Sequence, residues 1–159
     1  MVSVTADIHV ACDAEGIPST ALIREWISAA VRGAGVASDA DIEVGVRVVS
    51  ADEMRELNRQ YREQGKATNV LSFDAGDIAG LPAGMPRFLG DVVICAAVVA
   101  DEARQQGKPL EAHWAHMLVH GTLHLLGHDH VTDAEAETME ALETRILAAG
   151  KVADPYRRS

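Results

Sequence analysis

The sequence predicts an α+β fold in a single domain spanning residues 1–159: a small mixed sheet of about four strands packed with about five helices. Three observations carry that expectation. Four short runs alternate apolar and polar residues, at about 4–11, 43–49, 69–73 and 91–95. The stretches between them repeat apolar residues at helical spacing and begin at capping residues or proline. The chain has 159 residues, 48% of them hydrophobic, which is enough to bury a core without disulfides.

Taken in order, the first strand sets His9 between Ile8 and Val10, as a surface strand residue. Pro18 and Ser19 open the first helix; Ser19 caps it, Leu22, Trp26, Ala29 and Ala30 form its apolar side, and Gly33 and Gly35 stop it. After the second strand, Ser50-Ala51-Asp52-Glu53 is a capping box, in which the serine hydroxyl and the glutamate satisfy each other's orphan backbone amides. On the helix it opens, Met54, Leu57 and Tyr61 face the core, and Arg55, Arg59 and Arg62 line the opposite side. Arg55 and Arg59 read as a solvated face paired with Glu53, Glu56 and Glu63. Arg62 stands at the helix end leading into Gln64–Asn69, where a guanidinium can clamp phosphate bidentately beside hydroxyl and amide donors.

Beyond the third strand, DAGDIAGLPAGMPRFLG (Asp74–Gly90) breaks every period with glycine and proline and reads as a lid or binding loop. A third helix runs from about Ala96 to Gln106 and ends at Gly107, and the fourth begins near Pro109. The last helix opens with a second capping box, Thr132–Glu135, and stops at Gly150.

The fourth helix carries the chemistry. Five of the seven histidines fall between His116 and His130, in HMLVHGTLHLLGHDH. At 100° per residue His113, His116, His120 and His124 lie within about 80° of one another, one polar stripe on an otherwise apolar helix. The expected arrangement is a largely buried helix whose stripe faces a cleft. His120 and His124, at i and i+4, can both reach one zinc ion; Gly127 offers the left-handed conformation that turns the chain back, and His130 returns as a third ligand. His116, one turn before His120, can orient a ligand or contact a substrate. His113 and His128 read as structural or exposed, and Asp129 as a turn residue. Three histidines without a fourth thiolate leave a coordination position for water, which favours a catalytic over a structural zinc. The H-x3-H-x2-G-x2-H spacing is that of metzincin peptidases, but Gly121 stands where they place the general-base glutamate.

Charge and composition bound the rest. A formal net charge of -10 opposes nonspecific coating of nucleic acid, so any such contact must be local. The acidic residues cluster in DAEAETMEALE (Asp133–Glu143), and the basic ones gather at Arg55, Arg59, Arg62 and Lys66. No run of about 18 apolar residues suits a membrane span, and the N-terminus lacks a signal peptide's basic start, so a cytoplasmic protein without membrane contact is expected. Cys12 and Cys95 read as buried free thiols.

HGTLHLLGHDH (His120–His130) resembles the signature of the YbeY family, single-domain metal-dependent endoribonucleases of ribosomal RNA maturation and ribosome quality control. LNRQYR with TNVLSF (Leu57–Arg62, Thr68–Phe73) and LGDVVI (Leu89–Ile94) are similar to further segments of that family. The chain departs from it at Ala67, Asn69 and Asp74, where proline, aspartate and proline are common. The resemblance implies zinc, one divalent ion per chain, on His120, His124 and His130, and a catalytic, phosphate-engaging role for Arg62. Thr68 and Ser72 join His116 as residues that contact substrate or orient a ligand. It implies RNA as substrate, with ribosomal RNA precursors and the small ribosomal subunit as partners, and not DNA. Two alternatives stand beside this single-strand-specific, zinc-dependent endoribonuclease: a ribosome-assembly factor whose zinc is mainly structural, and a metallopeptidase-like hydrolase, which Gly121 disfavours.

Overall fold

Four strands form one mixed sheet: β1 (Ser3–Val10), β2 (Asp41–Val49), β3 (Val70–Asp74) and β4 (Arg87–Cys95), in the order β1-β2-β4-β3. The structure is a computed structural model and describes residues 3–14, 16–35, 41–62, 69–74, 87–128 and 132–152, for residues 61, 62, 74 and 87 the backbone alone. β1 and β2 run parallel, from Ser3 opposite Asp41 to Val10 opposite Val48, and β2 and β4 are also parallel. β3 is antiparallel to β4, with Val70 opposite Ile94.

The two-residue period of these strands divides the core. Val44, Val46 and Val48 of β2 and Val92 and Ile94 of β4 point to one face, while Val49, Leu71, Val93 and Cys95 point to the other. Helices α1 (Thr20–Gly33) and α4 (Leu110–Leu125) cover the first face around buried Trp114 and Leu118. Helix α5 (Asp133–Ala149) packs on those two from outside, through Ala30, Ala115, Val119, Leu123, Met139, Ile146 and Leu147. Helix α2 (Ala51–Arg62) sets Met54 on the second face, and α3 (Ala96–Gln106) packs beside α4. α4 is thereby sandwiched between the sheet and α5. No helix among the described residues is long and apolar enough to cross a membrane.

Several local expectations need correction. The buried side of α1 is Ile23, Ile27, Ala30 and Val31, rotated by one residue from the expected stripe, because Leu22-Ile23 and Trp26-Ile27 offer two apolar phases and the sheet accepts the isoleucines. β4 begins at Arg87, so the last four residues of the expected loop are strand; a register shift between Glu43 and Val44 passes over Leu89, which is buried. The rest of that loop, 75–86, lies outside the described residues.

The capping boxes are half as predicted. Ser50 Oγ accepts the Glu53 amide at 3.2 Å, but the Glu53 carboxylate pairs with Arg47 at 2.8 Å instead of returning to the cap. Thr132 Oγ1 accepts the Glu135 amide at 3.1 Å and donates to the Glu135 carboxylate at 3.0 Å. Arg59 pairs with Glu56 as expected, at 3.1 Å, whereas Arg55 takes Asp52, at 2.6 Å, one turn back. Both pairs are exposed and hold little. Asn58, unread in the sequence, is buried beside Leu57. Cys95 is buried, but Cys12 only half so.

Candidate metal centre

Helix α4 is buried from His113 to Val119, so each histidine on it must find a partner. His113 turns to α3, with Nε2 2.9 Å from Glu102 Oε1, and Asn69 Nδ2 donates to the same oxygen at 3.1 Å. Burial pulls the His113 pKa down, against the hydrogen bond and charge of Glu102. His116 and His120 turn instead to α5. Nε2 of His116 lies 2.6 Å from Glu143 Oε2, and Nδ1 of His120 lies 2.9 Å from Glu143 Oε1. The expected single stripe facing a cleft is therefore split, because α3 and α5 each bring a carboxylate against it.

Glu143 has no exposed surface. Burial pushes its pKa up, but hydrogen bonds from His116 and His120, reinforced by their charge when these rings are protonated, outweigh that and hold it at about 2. The group is an anion at neutral pH.

Beyond His120 the helix has one more turn. Nε2 of His124 lies 3.1 Å from Nε2 of His120, with the ring centroids 4.6 Å apart and the planes at 76°. Two nitrogens bound at 2.0–2.1 Å to one tetrahedral ion sit about 3.3 Å apart, so this pair has the spacing of two ligands sharing a metal. His116, His120 and Glu143 also place one donor atom each within 4.8 Å of one another and can hold an ion. Their direct contacts of 2.6 and 2.9 Å, however, have the length of charge-assisted hydrogen bonds and are short for two ligands of one zinc. The helix then closes as the glycine foresaw: Gly127 has φ 97°, its amide donates to His124 O at 3.0 Å and that of His128 to Leu123 O at 3.0 Å. His130 and Asp129 follow directly and lie outside the described residues.

Gly121 fixes how closely this helix approaches the sheet. A Cβ there would lie 2.7 Å from Val92 Cγ1 and 3.2 Å from Val70 Cγ2. Ser72 Oγ donates to the Gly121 carbonyl at 2.9 Å, so Ser72 is engaged with the backbone of the histidine helix. Gly121→Ala forces either α4 or the Val92 and Val70 side chains to shift. A loss of about 1–3 kcal/mol in unfolding free energy is expected, read by urea titration; unchanged stability would show that the sheet yields instead.

The structure thus brings His116, His120 and His124 together and sets Ser72 against the same helix. The α2 backbone ends at Arg62, whose side chain, like Thr68, lies outside the described residues. Glu143 is the residue the sequence reading missed. The signal was there, because Met139, Leu142, Ile146 and Leu147 make an apolar stripe at helical spacing and position 143 falls inside it.

Asp91, in the segment LGDVVI, faces away from the histidines. It lies with Arg47, Glu53, Leu57, Phe73 and Val93 along a groove of about 380 Å³ on the α2 side of the sheet. A Cβ on Gly45 would collide with its carboxylate. Burial first, then the nearby Asp7, raises the Asp91 pKa.

A family model described as Endoribonuclease YbeY matches residues 10–151. A protein of that name from Cellvibrio japonicus is 53% identical over 150 residues, covering 94% of this chain and 81% of that one. Its namesake from Stenotrophomonas maltophilia is 51% identical over 150 residues, 94% and 91% of the two chains. The one from Psychromonas ingrahamii is 46% identical over 151 residues, 94% of each. The solution structure of a protein from Thermotoga maritima superposes with a TM-score of 0.56 over 99% of this chain and 100% of that one, at 23% identity, a likeness of fold alone.

Proposed function

The chain belongs to the YbeY family, and from that premise we propose that it is a zinc-dependent endoribonuclease that cuts single-stranded RNA in ribosomal RNA maturation and ribosome quality control. The observation that carries the reading is the pair of facing ring nitrogens, His120 Nε2 and His124 Nε2, 3.1 Å apart at the end of a buried helix. One zinc ion would be held by His120, His124 and His130. When bound, zinc supplies Lewis acidity toward a phosphoryl oxygen and toward water.

The chain's own groups do the rest. Glu143 offers its anionic carboxylate to His120 from behind. Gly127, with φ 97°, ends the helix three residues before His130. Arg62 binds the phosphate, its planar guanidinium matching two oxygens at once and opposing the charge that develops there. With a net charge of -10 the surface as a whole repels RNA, so affinity rests on this local cation and the metal. Ribosomal RNA precursors are the proposed substrate, the small ribosomal subunit the proposed partner, and the cytoplasm the place where the enzyme meets them. A peptidase is disfavoured further, because a general-base side chain at position 121 would be driven into Val92 and Val70.

The test is cleavage of one sequence offered as single-stranded RNA, duplex RNA and single-stranded DNA. Cleavage of the first, with the other two at least about tenfold slower, is expected. DNA cut as fast as RNA would overturn the substrate assignment.

A further inference from the structure

Glu143 is a carboxylate with no exposed surface, set among Met139, Leu142, Ile146 and Leu147 on α5. Burying such an ion costs several kcal/mol unless its oxygens are fully engaged. Both are: Oε2 meets Nε2 of His116 at 2.6 Å and Oε1 meets Nδ1 of His120 at 2.9 Å. An ionised carboxylate only accepts, so each of those ring nitrogens donates. A neutral imidazole carries a single N–H. With the proton of His120 on Nδ1, its Nε2 presents a lone pair, and it is Nε2 that stands 3.1 Å from Nε2 of His124.

We propose that Glu143 is a positioning residue for the metal centre: it holds His120 in the Nδ1–H tautomer and fixes the ring's direction, so that Nε2 is ready to ligate. This rests on the reading of His120 and His124 as ligands. His116 has a part in the same device. By occupying the second oxygen it stops the carboxylate from swivelling, and because His116 and His120 lie one turn apart on α4, the two bonds set the register of α5 against α4. Glu143 is thus engaged by two donors and acts on the ion through His120. Carboxylates that hold ligating histidines in this manner raise ligand basicity, and losing them weakens metal binding about 10- to 100-fold.

The test uses the full chain and Glu143→Gln, which keeps the shape but can accept from only one of the two rings. Zinc affinity is measured by competition with a chromophoric chelator, the His120 tautomer by nitrogen-15 NMR of the zinc-free protein, and the ligand set by the absorption bands of the cobalt(II)-loaded protein. Expected are an Nδ1–H His120 in the wild type and zinc binding about 10- to 100-fold weaker in Glu143→Gln, with cobalt band positions unchanged. Affinity equal to wild type, or an unprotonated Nδ1 in the wild type, would overturn the proposal. Shifted cobalt bands would also overturn it, by making Glu143 a ligand. If Glu143→Gln fails to fold, the wild-type tautomer alone decides. His124→Ala binding zinc as tightly as wild type would instead sink the ligand assignment beneath it.

Discussion

Replacing His124 with alanine is expected to release the zinc and to cut cleavage of single-stranded RNA by at least about 100-fold, the scale of losing a main electrostatic stabiliser of the transition state. The substitution removes one of two ring nitrogens 3.1 Å apart, and His120 as the one remaining ligand on α4 leaves an ion with too few ligands. The fold should survive. His124 is only half-buried, at the last turn of α4, and the apolar side chains that pin this helix, Trp114, Leu118, Val119 and Leu123, are untouched. The check is zinc per chain by elemental analysis, with circular dichroism and single-turnover cleavage on the same sample. Full cleavage by a folded, zinc-free His124→Ala would remove the metal from the mechanism.

Arg62→Glu is expected to act differently, lowering cleavage about 100- to 1000-fold while leaving zinc content at the wild-type value. Reversing the charge both withdraws the donors from the phosphate and adds repulsion, whereas the histidine helix lies on the opposite face of the sheet from α2 and keeps its contacts. Arg62 is the last residue of α2, where a substitution disturbs little of the helix ladder. Steady-state kinetics with elemental analysis decides. Loss of zinc together with activity would show that Arg62 serves the centre's structure, and unchanged kinetics would remove it from the site.

The i, i+4 histidines and the glycine that ends their helix were legible because both are local. A helix of known pitch places His120 and His124 on successive turns whatever surrounds them, and Gly127 adopts the reversal it was expected to adopt. What depended on distant neighbours was not legible. Glu143 lies 23 residues beyond His120; the apolar stripe of α5 marks position 143 as inward, but only the packing of α5 on α4 shows that it meets His116 and His120. Gly121 was read for the carboxylate it lacks, and the structure shows what it permits, the close approach of α4 to Val92 and Val70.

Gly150 makes the same point. The left-handed residue after α5 is Lys151, with φ 66°, while Gly150 makes room for the ring of Trp26, 124 positions earlier in the sequence. The strand and helix order followed from period and caps, yet the phase of α1 and the start of β4 were set by the sheet they pack against or join.

The most direct measurement is a titration of zinc into metal-free protein, followed by the rate of single-stranded RNA cleavage. The expected result is a rate that climbs linearly to one zinc per chain and then stays level, with no climb in His124→Ala. Cleavage at the full rate before any zinc is added, or saturation that needs no histidine at position 124, would contradict a catalytic metal held by this helix.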